Sequence, residues 1–426
     1  MRAALPTLLL LTALSPWRLV MADDAPSPVL LERGEYVSKA ADCAGCHTAP
    51  LNGAPYAGGL GLASPFGTIV SSNITPDKET GIGNYSYENF ARALREGVAP
   101  GGKGLYPAMP YPSFVKMNDE DMHALYAYMM HGVPPVKYRP PPTKVTFPFN
   151  QRWALRLWRM TFAPKAQFAP QPSRDAAWNR GAYLVQSLGH CGSCHTPRGM
   201  GYQEQGYDEA STKFLAGGIN DNWFAPNLRA DAGSGLGRIA PSDIAAFLKT
   251  GHGAGLVAYG SMVQTVEDSL QYLSDDDARA IAMYLKSLPA TGAADGAFEP
   301  ALAQSGRLKT RAPDVPPAQG AAVYAGFCAQ CHRDDGHGVA SAFPALAGNP
   351  SVISEDTTSL IRLVVEGGNS PATTHGPARQ PMPPFADRLT DVQIAQVLTY
   401  VRASWGNDAR PVTANDVASM RSSLHK

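Results

Sequence analysis

Cys43-Ala-Gly-Cys46-His47 recurs in this chain as Cys191-Gly-Ser-Cys194-His195 and again as Cys328-Ala-Gln-Cys331-His332. A Cys-x-x-Cys-His run is the attachment pattern of a c-type haem. Its two thiols add across the vinyl groups, and the adjacent histidine lies beneath the ring with an imidazole nitrogen on the iron. Three copies consume all 6 cysteines, so none is left for a disulfide. Structural zinc would need a second Cys or His pair near each motif, and a redox dithiol has no use for the invariable histidine. The pattern therefore predicts three covalently bound haem c groups, with Cys43, Cys46, Cys191, Cys194, Cys328 and Cys331 as anchors and His47, His195 and His332 as the first iron ligands.

The motifs begin 148 and 137 residues apart in a chain of 426, a length suited to roughly two to four domains. With 41 Gly and 37 Pro, the composition favours short helices joined by long loops over extended sheet. Arg2, the apolar run from Leu8 to Leu14 and Val20-Met21-Ala22 before Asp23 read as an export signal over residues 1–22. Removing it takes away Arg2 and Arg18 and no acid, which leaves a chain of 36 basic and 36 acidic residues two charges negative. Such a balance implies no nucleic-acid partner. No later stretch approaches the ~18 apolar residues of a membrane span.

Each motif sits in a similar frame. A short helix is predicted to deliver each first cysteine, over Leu30 to Ala40, Arg180 to Leu188 and Gln319 to Phe327. Each carries a glycine, Gly34, Gly181 or Gly320, which weakens a helix by roughly 1 kcal/mol against alanine and so marks a place where another helix comes close. That partner is a closing helix capped by Asn118, Ser274 or Thr390. Three positions on stand Asp121, Asp277 and Gln393, resembling a capping box, and ten positions on stand Tyr128, Tyr284 and Tyr400. Segments in phase over ten residues make an internal repeat. Middle helices over Tyr87 to Glu96, Pro241 to Thr250 and Thr358 to Glu366 end at Gly97, Gly251 and Gly367.

A loop with a methionine follows each middle helix, at Met109, Met262 and Met382, lying 62, 67 and 50 residues beyond the haem histidine. Proline flanks stiffen these loops and hold a soft thioether at the far side of the iron. Met117, Met122, Met129 and Met130 compete in the first unit, and His123 or His131, His190 or His252, and His337 or His375 are the alternative sixth ligands. The boundaries expected are a first haem domain over 27–134, a linker over 135–172, a second domain over 173–290, a linker over 291–314, a third domain over 315–406 and a tail over 407–426. Within the first linker, Gln151 to Phe162 has helical spacing with Arg152, Arg156 and Arg159 in one stripe. It is either a helix buried between domains or one lying against a membrane interface or partner subunit.

Asn73-Ile-Thr-Pro-Asp-Lys-Glu-Thr-Gly-Ile-Gly83, the run from Tyr106 to Phe114 and Ala403-Ser-Trp-Gly-Asn407 resemble the triheme cytochrome c subunit of bacterial membrane-associated dehydrogenases acting on alcohols, gluconate, sorbitol, fructose and aldehydes. The resemblance covers nearly the whole mature chain. It implies a mainly α fold of three tandem class I cytochrome c-like domains joined by Pro-rich linkers, with Met109, Met262 and Met382 as the distal iron ligands. It also implies a catalytic dehydrogenase subunit carrying flavin or PQQ, a small third subunit, peripheral attachment on the periplasmic side of the inner membrane, and ubiquinone as acceptor. The residues themselves support a narrower statement: His/Met ligation closes the iron to substrate and describes an electron carrier, and no substrate-oxidising motif stands beside it. A free-standing shuttle to a terminal oxidase and a haem peroxidase are the alternatives.

Overall fold

The computed structural model describes residues 25–292, 296–300 and 317–424. Residues 1–22, expected as an export signal, and most of the expected second linker lie outside them. Ser27 caps the first helix, Pro28–Ala40, by accepting the Leu30 N–H, and Pro28 fills the first helical position, where no donor is required. The second unit opens with Ala176–Tyr183, capped by Asp175 and continued by a wide turn over Leu184–Leu188. The third opens with Pro317–Phe327. The middle helices span Tyr87–Glu96, Pro241–Thr250 and Thr358–Glu366, as the spacing predicts, and end at Gly97, Gly251 and Gly367 with φ of 63°, 75° and 71°.

The closing helices are Asp119–Ala127, Asp275–Ser287 and Asp391–Ala403. They cross the opening helices at the repeated glycines. A Cβ at Gly34 would lie 2.1 Å from the Ala124 carbonyl oxygen, one at Gly181 2.0 Å from that of Ala280, and one at Gly320 2.4 Å from that of Gln396. In each case the next residue met beyond that carbonyl group is the expected tyrosine, through the Cβ of Tyr128, Tyr284 or Tyr400. The absent side chain is what lets backbone meet backbone there.

The capping boxes are complete only in the third unit, where Thr390 Oγ1 accepts the Gln393 N–H and Gln393 Oε1 accepts the Thr390 N–H. Asn118 and Ser274 make the first half, but Asp121 and Asp277 turn elsewhere. Asp121 accepts from Arg33 Nε of its own opening helix at 2.9 Å and from the Tyr183 hydroxyl of the second unit at 2.6 Å. Asp277 accepts from Arg180 Nε and Nη2 of its own opening helix at 2.8 and 2.7 Å and from the Tyr36 hydroxyl of the first unit. Arg33-Gly34-Glu35-Tyr36 and Arg180-Gly181-Ala182-Tyr183 thus do the same two tasks reciprocally: the arginine holds the unit's own carboxylate and the tyrosine crosses to the other's.

The first two units consequently share one continuous apolar core, from Val37 through Met122, Leu125 and Leu184 to Ile281 and Leu288, while the third has a separate one around Ile394, Val397 and Leu398. Between the first two, buried Lys116 donates Nζ to Gln186 Oε1 at 2.8 Å and to the Tyr207 carbonyl at 2.6 Å. The stretch expected as a tail belongs to the third core: Ala414–Leu424 is a helix, with Val412 and Val417 fully buried, and Asn407–Asp408 pairs antiparallel with Ala297–Phe298. Sheet is confined to small pieces. The largest places Gly67–Val70 between Gly61–Ser64 and Lys144–Val145.

The segment in the first linker forms a helix, Ala154–Phe162. Its inner side is docked: Leu155 is buried, the Trp158 indole donates to the Gly201 carbonyl at 2.7 Å, and Arg152 donates to that of Gly104 at 2.7 Å. The docked side fits the expectation of a helix packed between domains, and the outer side is open.

Candidate haem sites

The Cys-x-x-Cys-His motifs form one-turn helices, Cys43–Cys46, Gly192–His195 and Ala329–His332, directly after the opening helices. None of the six thiols is paired. Five are half-buried and Cys194 is exposed, as a sulfur that must carry a bulky group requires. The protein on their other sides pushes the Cys43, Cys46 and Cys191 thiols up to about 12 and Cys328 up to about 11. Thiols so placed are poor thiolates, which argues against a redox dithiol. Among the described residues no three His, Cys, Asp or Glu side chains converge on a metal-sized site, so a zinc centre lacks its other ligands.

The three histidines are held alike. His47 Nδ1 lies 2.6 Å from the Ser72 carbonyl oxygen, His195 Nδ1 2.7 Å from that of Pro226, and His332 Nδ1 3.0 Å from that of Pro344. A carbonyl can only accept, so Nδ1 carries the proton and the Nε2 lone pair is free for iron. Burial lowers all three histidine pKa values, keeping the rings neutral. Each histidine carbonyl in turn accepts the N–H of a left-handed glycine, Gly58, Gly217 or Gly338, at 2.7, 2.8 and 3.0 Å.

Two asparagines fix the accepting loops. Buried Asn73 and Asn227 immediately follow Ser72 and Pro226, and their Oδ1 atoms accept the Thr75 and Arg229 N–H groups at 2.9 and 2.8 Å. The first belongs to the Asn73–Gly83 motif, whose part in orienting His47 is not apparent from its residues; the second lies in Ala-Pro-Asn-Leu and has no such flag.

After each glycine cap the backbone forms a short antiparallel pair: Val98–Ala99 with Lys103–Gly104, His252–Gly253 with Leu256–Val257, and Gly368–Asn369 with Pro381–Met382. Met109 and Met262 each come four residues after the residue whose N–H bonds the capping glycine's carbonyl, Leu105 to Gly97 and Ala258 to Gly251, both at 2.8 Å. Met109, Met262 and Met382 are half-buried at the margins of the cores. Of the rivals, Met117, Met122 and Met129 are sealed inside, whereas Met130 is half-buried like Met109. Of the histidines considered, His123 stacks on Tyr87 at 3.8 Å, His190 packs edge-on against Phe114, and His252 Nδ1 lies 3.0 Å from the Thr250 carbonyl. His131, His337 and His375 are exposed.

A cytochrome c family model matches residues 31–132, 179–289 and 317–405, one segment around each motif. The chain belongs to the cytochrome c family. It is a three-haem member, the three matched segments agreeing with the three motifs. The cytochrome is 46% identical over 407 residues to the gluconate 2-dehydrogenase cytochrome c subunit of Pantoea cypripedii, covering 94% of this chain and 91% of that one. It is 47% identical over 412 residues to the cytochrome c subunit of alcohol dehydrogenase (quinone) from Gluconacetobacter polyoxogenes, covering 95% and 86%. The fructose dehydrogenase cytochrome subunit of Gluconobacter japonicus is 38% identical over 405 residues, covering 92% and 82%.

Proposed function

We propose that this cytochrome is the electron-transfer subunit of a membrane-bound dehydrogenase on the periplasmic side of the bacterial inner membrane. The partner subunit oxidises a CH–OH donor, an alcohol, gluconate or another sugar or sugar acid, at its own flavin or PQQ, and the electrons pass to ubiquinone. The observation that carries this reading is the threefold His–carbonyl arrangement, repeated each time with a half-buried methionine beyond a glycine-capped middle helix. The names of the relatives support a dehydrogenase partner.

In this assignment Cys43 and Cys46, Cys191 and Cys194, and Cys328 and Cys331 hold the haems as thioethers. His47 with Met109, His195 with Met262 and His332 with Met382 would be the iron ligands. Bound haem supplies a one-electron couple, whose potential a His/Met pair raises relative to other ligand sets. The chain's own residues do the positioning. Ser72, Pro226 and Pro344 fix each imidazole through Nδ1; Met382 stands in its hairpin, Met109 in the loop after one, and Met262 not in a loop but in the first turn of the helix Ser261–Asp268. Pro107, Pro110 and Pro112, and Pro381, Pro383 and Pro384, stiffen two of the loops against exchange with water. The second unit touches both neighbours close to their motifs: Gln264 Nε2 donates to the Gly45 carbonyl at 3.0 Å, and the Ala345 N–H, next to Pro344, donates to that of Gly255 at 2.9 Å.

Purified alone, the cytochrome should be reduced by dithionite and remain inert toward alcohols, aldehydes and gluconate. With its cognate dehydrogenase it should be reduced by that enzyme's substrate and should then reduce a ubiquinone analogue. Cys191→Ser with Cys194→Ser should abolish that coupling if the second unit is an obligatory link. Oxidation of a substrate by the isolated cytochrome would overturn the carrier assignment.

A further inference from the structure

The first linker leaves an apolar surface outside the proposed haem-binding residues. Phe147, Phe149, Trp153, Leu157 and Met160 are 79%, 50%, 69%, 56% and 62% exposed. Trp153, Leu157 and Met160 fall at i, i+4 and i+7, one stripe along the outer side of Ala154–Phe162. This helix is apolar on two sides, since Leu155 and Trp158 face inward and are spoken for. An outward stripe of this kind is costly in water unless something covers it.

Charge indicates the cover. From residue 122 to residue 174 the chain has eight Lys or Arg and no Asp or Glu, within a sequence of 36 basic and 36 acidic residues. Arg139, Lys144, Arg156 and Lys165 are exposed around the stripe, and Arg156 lies between Trp153 and Met160 on the same side of the helix. Protein interface cores are depleted in lysine and, arginine apart, in charge, with aromatics sunk into pockets. Projecting Trp, Phe, Leu and Met ringed by cations that can extend toward headgroups is the chemistry of an interfacial helix on an anionic bilayer.

We infer that Phe147–Met160 is a docking face for a lipid surface bearing anionic headgroups, inserting its aromatic and aliphatic tips without spanning. Among the described residues no helix is long and apolar enough to cross a membrane. The inner side of the same segment buttresses the first methionine loop: Arg152 lies 4.6 Å over the Tyr106 ring and donates to the Gly104 carbonyl, and Tyr106, Met109 and Gly104 belong to that loop and its hairpin. Docking there brings the Met109 side of the first unit toward the bilayer, where a lipid-soluble acceptor resides. The inference deepens the membrane-side placement proposed above and rests on it only for where such a surface is met.

The test uses the mature holocytochrome with vesicles of phosphatidylglycerol mixed with phosphatidylcholine, compared with phosphatidylcholine alone. Co-sedimentation should be strong with the anionic vesicles and weaken as salt is raised. Trp153→Ser with Leu157→Ser and Met160→Ser should lower partitioning at least tenfold with an unchanged haem spectrum. Lys144→Glu with Arg156→Glu, surface changes that leave the packed side intact, should remove the preference for anionic vesicles and keep the test decisive if the serine variant folds poorly. Failure of the wild type to bind anionic vesicles, or wild-type binding by both variants, overturns the inference. So does a serine variant that loses dehydrogenase association or self-association while binding vesicles unchanged, since a protein would then be the occupant. Dehydrogenase association and self-association are measured separately by co-purification and sedimentation, and no dehydrogenase is present with the vesicles, so vesicle binding and substrate-driven reduction succeed or fail separately.

Discussion

Removing one oxygen atom from Tyr183 and one from Tyr36 tests whether the first two haem domains are a single body. Tyr183 is 5% exposed, and its hydroxyl donates to Asp121 and accepts the Asn118 N–H at 3.4 Å. A hydrogen bond to a charged group contributes about 1.5–3 kcal/mol, less where the carboxylate keeps other donors. Asp121 retains Arg33 and Asn118, and Asp277 retains Arg180. Tyr183→Phe should therefore cost about 2 kcal/mol and the more accessible Tyr36→Phe about 1 kcal/mol, adding to about 3 kcal/mol if the two sites are independent. The assay is urea unfolding of the holoprotein, followed by backbone circular dichroism and by the sulfur-to-iron charge-transfer absorption, in parallel with Met109→Ala and Met262→Ala proteins that silence one site at a time. Either tyrosine change should shift the first and second sites together. Ala322→Tyr, at the corresponding exposed position of the third domain, should stay within about 0.5 kcal/mol. There is also a pH arm. Burial alone would raise the Asp277 carboxyl, but Arg180 and Tyr36 outweigh it and hold it below the usual range. A depressed folded pKa contributes stability that is present above the unfolded value, about 3.9, and lost as pH falls through the folded one. The cost of Tyr36→Phe should therefore shrink below about pH 4. Independent melting of the first and second sites, or tyrosine variants within 0.3 kcal/mol of wild type at neutral pH (a limit of about the additivity error), would refute the reasoning.

Three further outcomes follow from the geometry. Gly34→Ala, Gly181→Ala and Gly320→Ala gain about 1 kcal/mol of helix propensity but drive a methyl into a backbone carbonyl, so each should be destabilising by about 2 kcal/mol net in the same urea titration. Met109→Ala, Met262→Ala and Met382→Ala should each open one haem to carbon monoxide and lower that haem's potential; a variant with its charge-transfer absorption unchanged would show that another residue ligates there. Asn73→Ala and Asn227→Ala release the loops behind His47 and His195 and should broaden the corresponding haem's electron-paramagnetic signal, whereas Asn349→Ala, whose side chain serves a different carbonyl, should leave the His332 site unaltered.

Much of this arrangement is legible in the sequence because it depends on local patterns. The Cys-x-x-Cys-His runs, the helix-ending Gly97, Gly251 and Gly367, and the pairing of Gly34, Gly181 and Gly320 with tyrosines ten residues past a cap all repeat at near-constant spacing. What holds the histidines does not. Gly58, Gly217 and Gly338 lie 11, 22 and 6 residues after their histidines, so the same hydrogen bond is reached through loops of different length and leaves no periodic trace. A backbone carbonyl has no side-chain signature either, which hides the roles of Ser72, Pro226 and Pro344. The contacts between domains are hidden for another reason: Tyr183 and Asp121 are 62 residues apart and Tyr36 and Asp277 are 241 apart. The repeated Arg-Gly-x-Tyr is visible, but its partner is not.

The third domain shows what that repeat is for by lacking it. Where the others have Arg, Tyr and an aspartate, it has Gln319, Ala322 and Gln393, and Gln393, with no arginine or tyrosine to serve, closes its own capping box. One helical position thus serves either the helix's own end or a neighbouring domain, depending on which side chains the opening helix supplies. The third domain instead meets the second through Arg362, which donates to the Asp221 carbonyl at 2.5 Å and lies 4.2 Å over the Trp223 ring, through Ser359 with the Phe224 backbone, and through the Arg379–Glu267 pair. These contacts are polar and partly exposed, the character of an interface between separately folding domains, whereas the first pair is joined through a common apolar core. Urea should accordingly release the third site in a transition of its own, while the first and second sites, bound by carboxylates that each answer to both domains, can be lost only together.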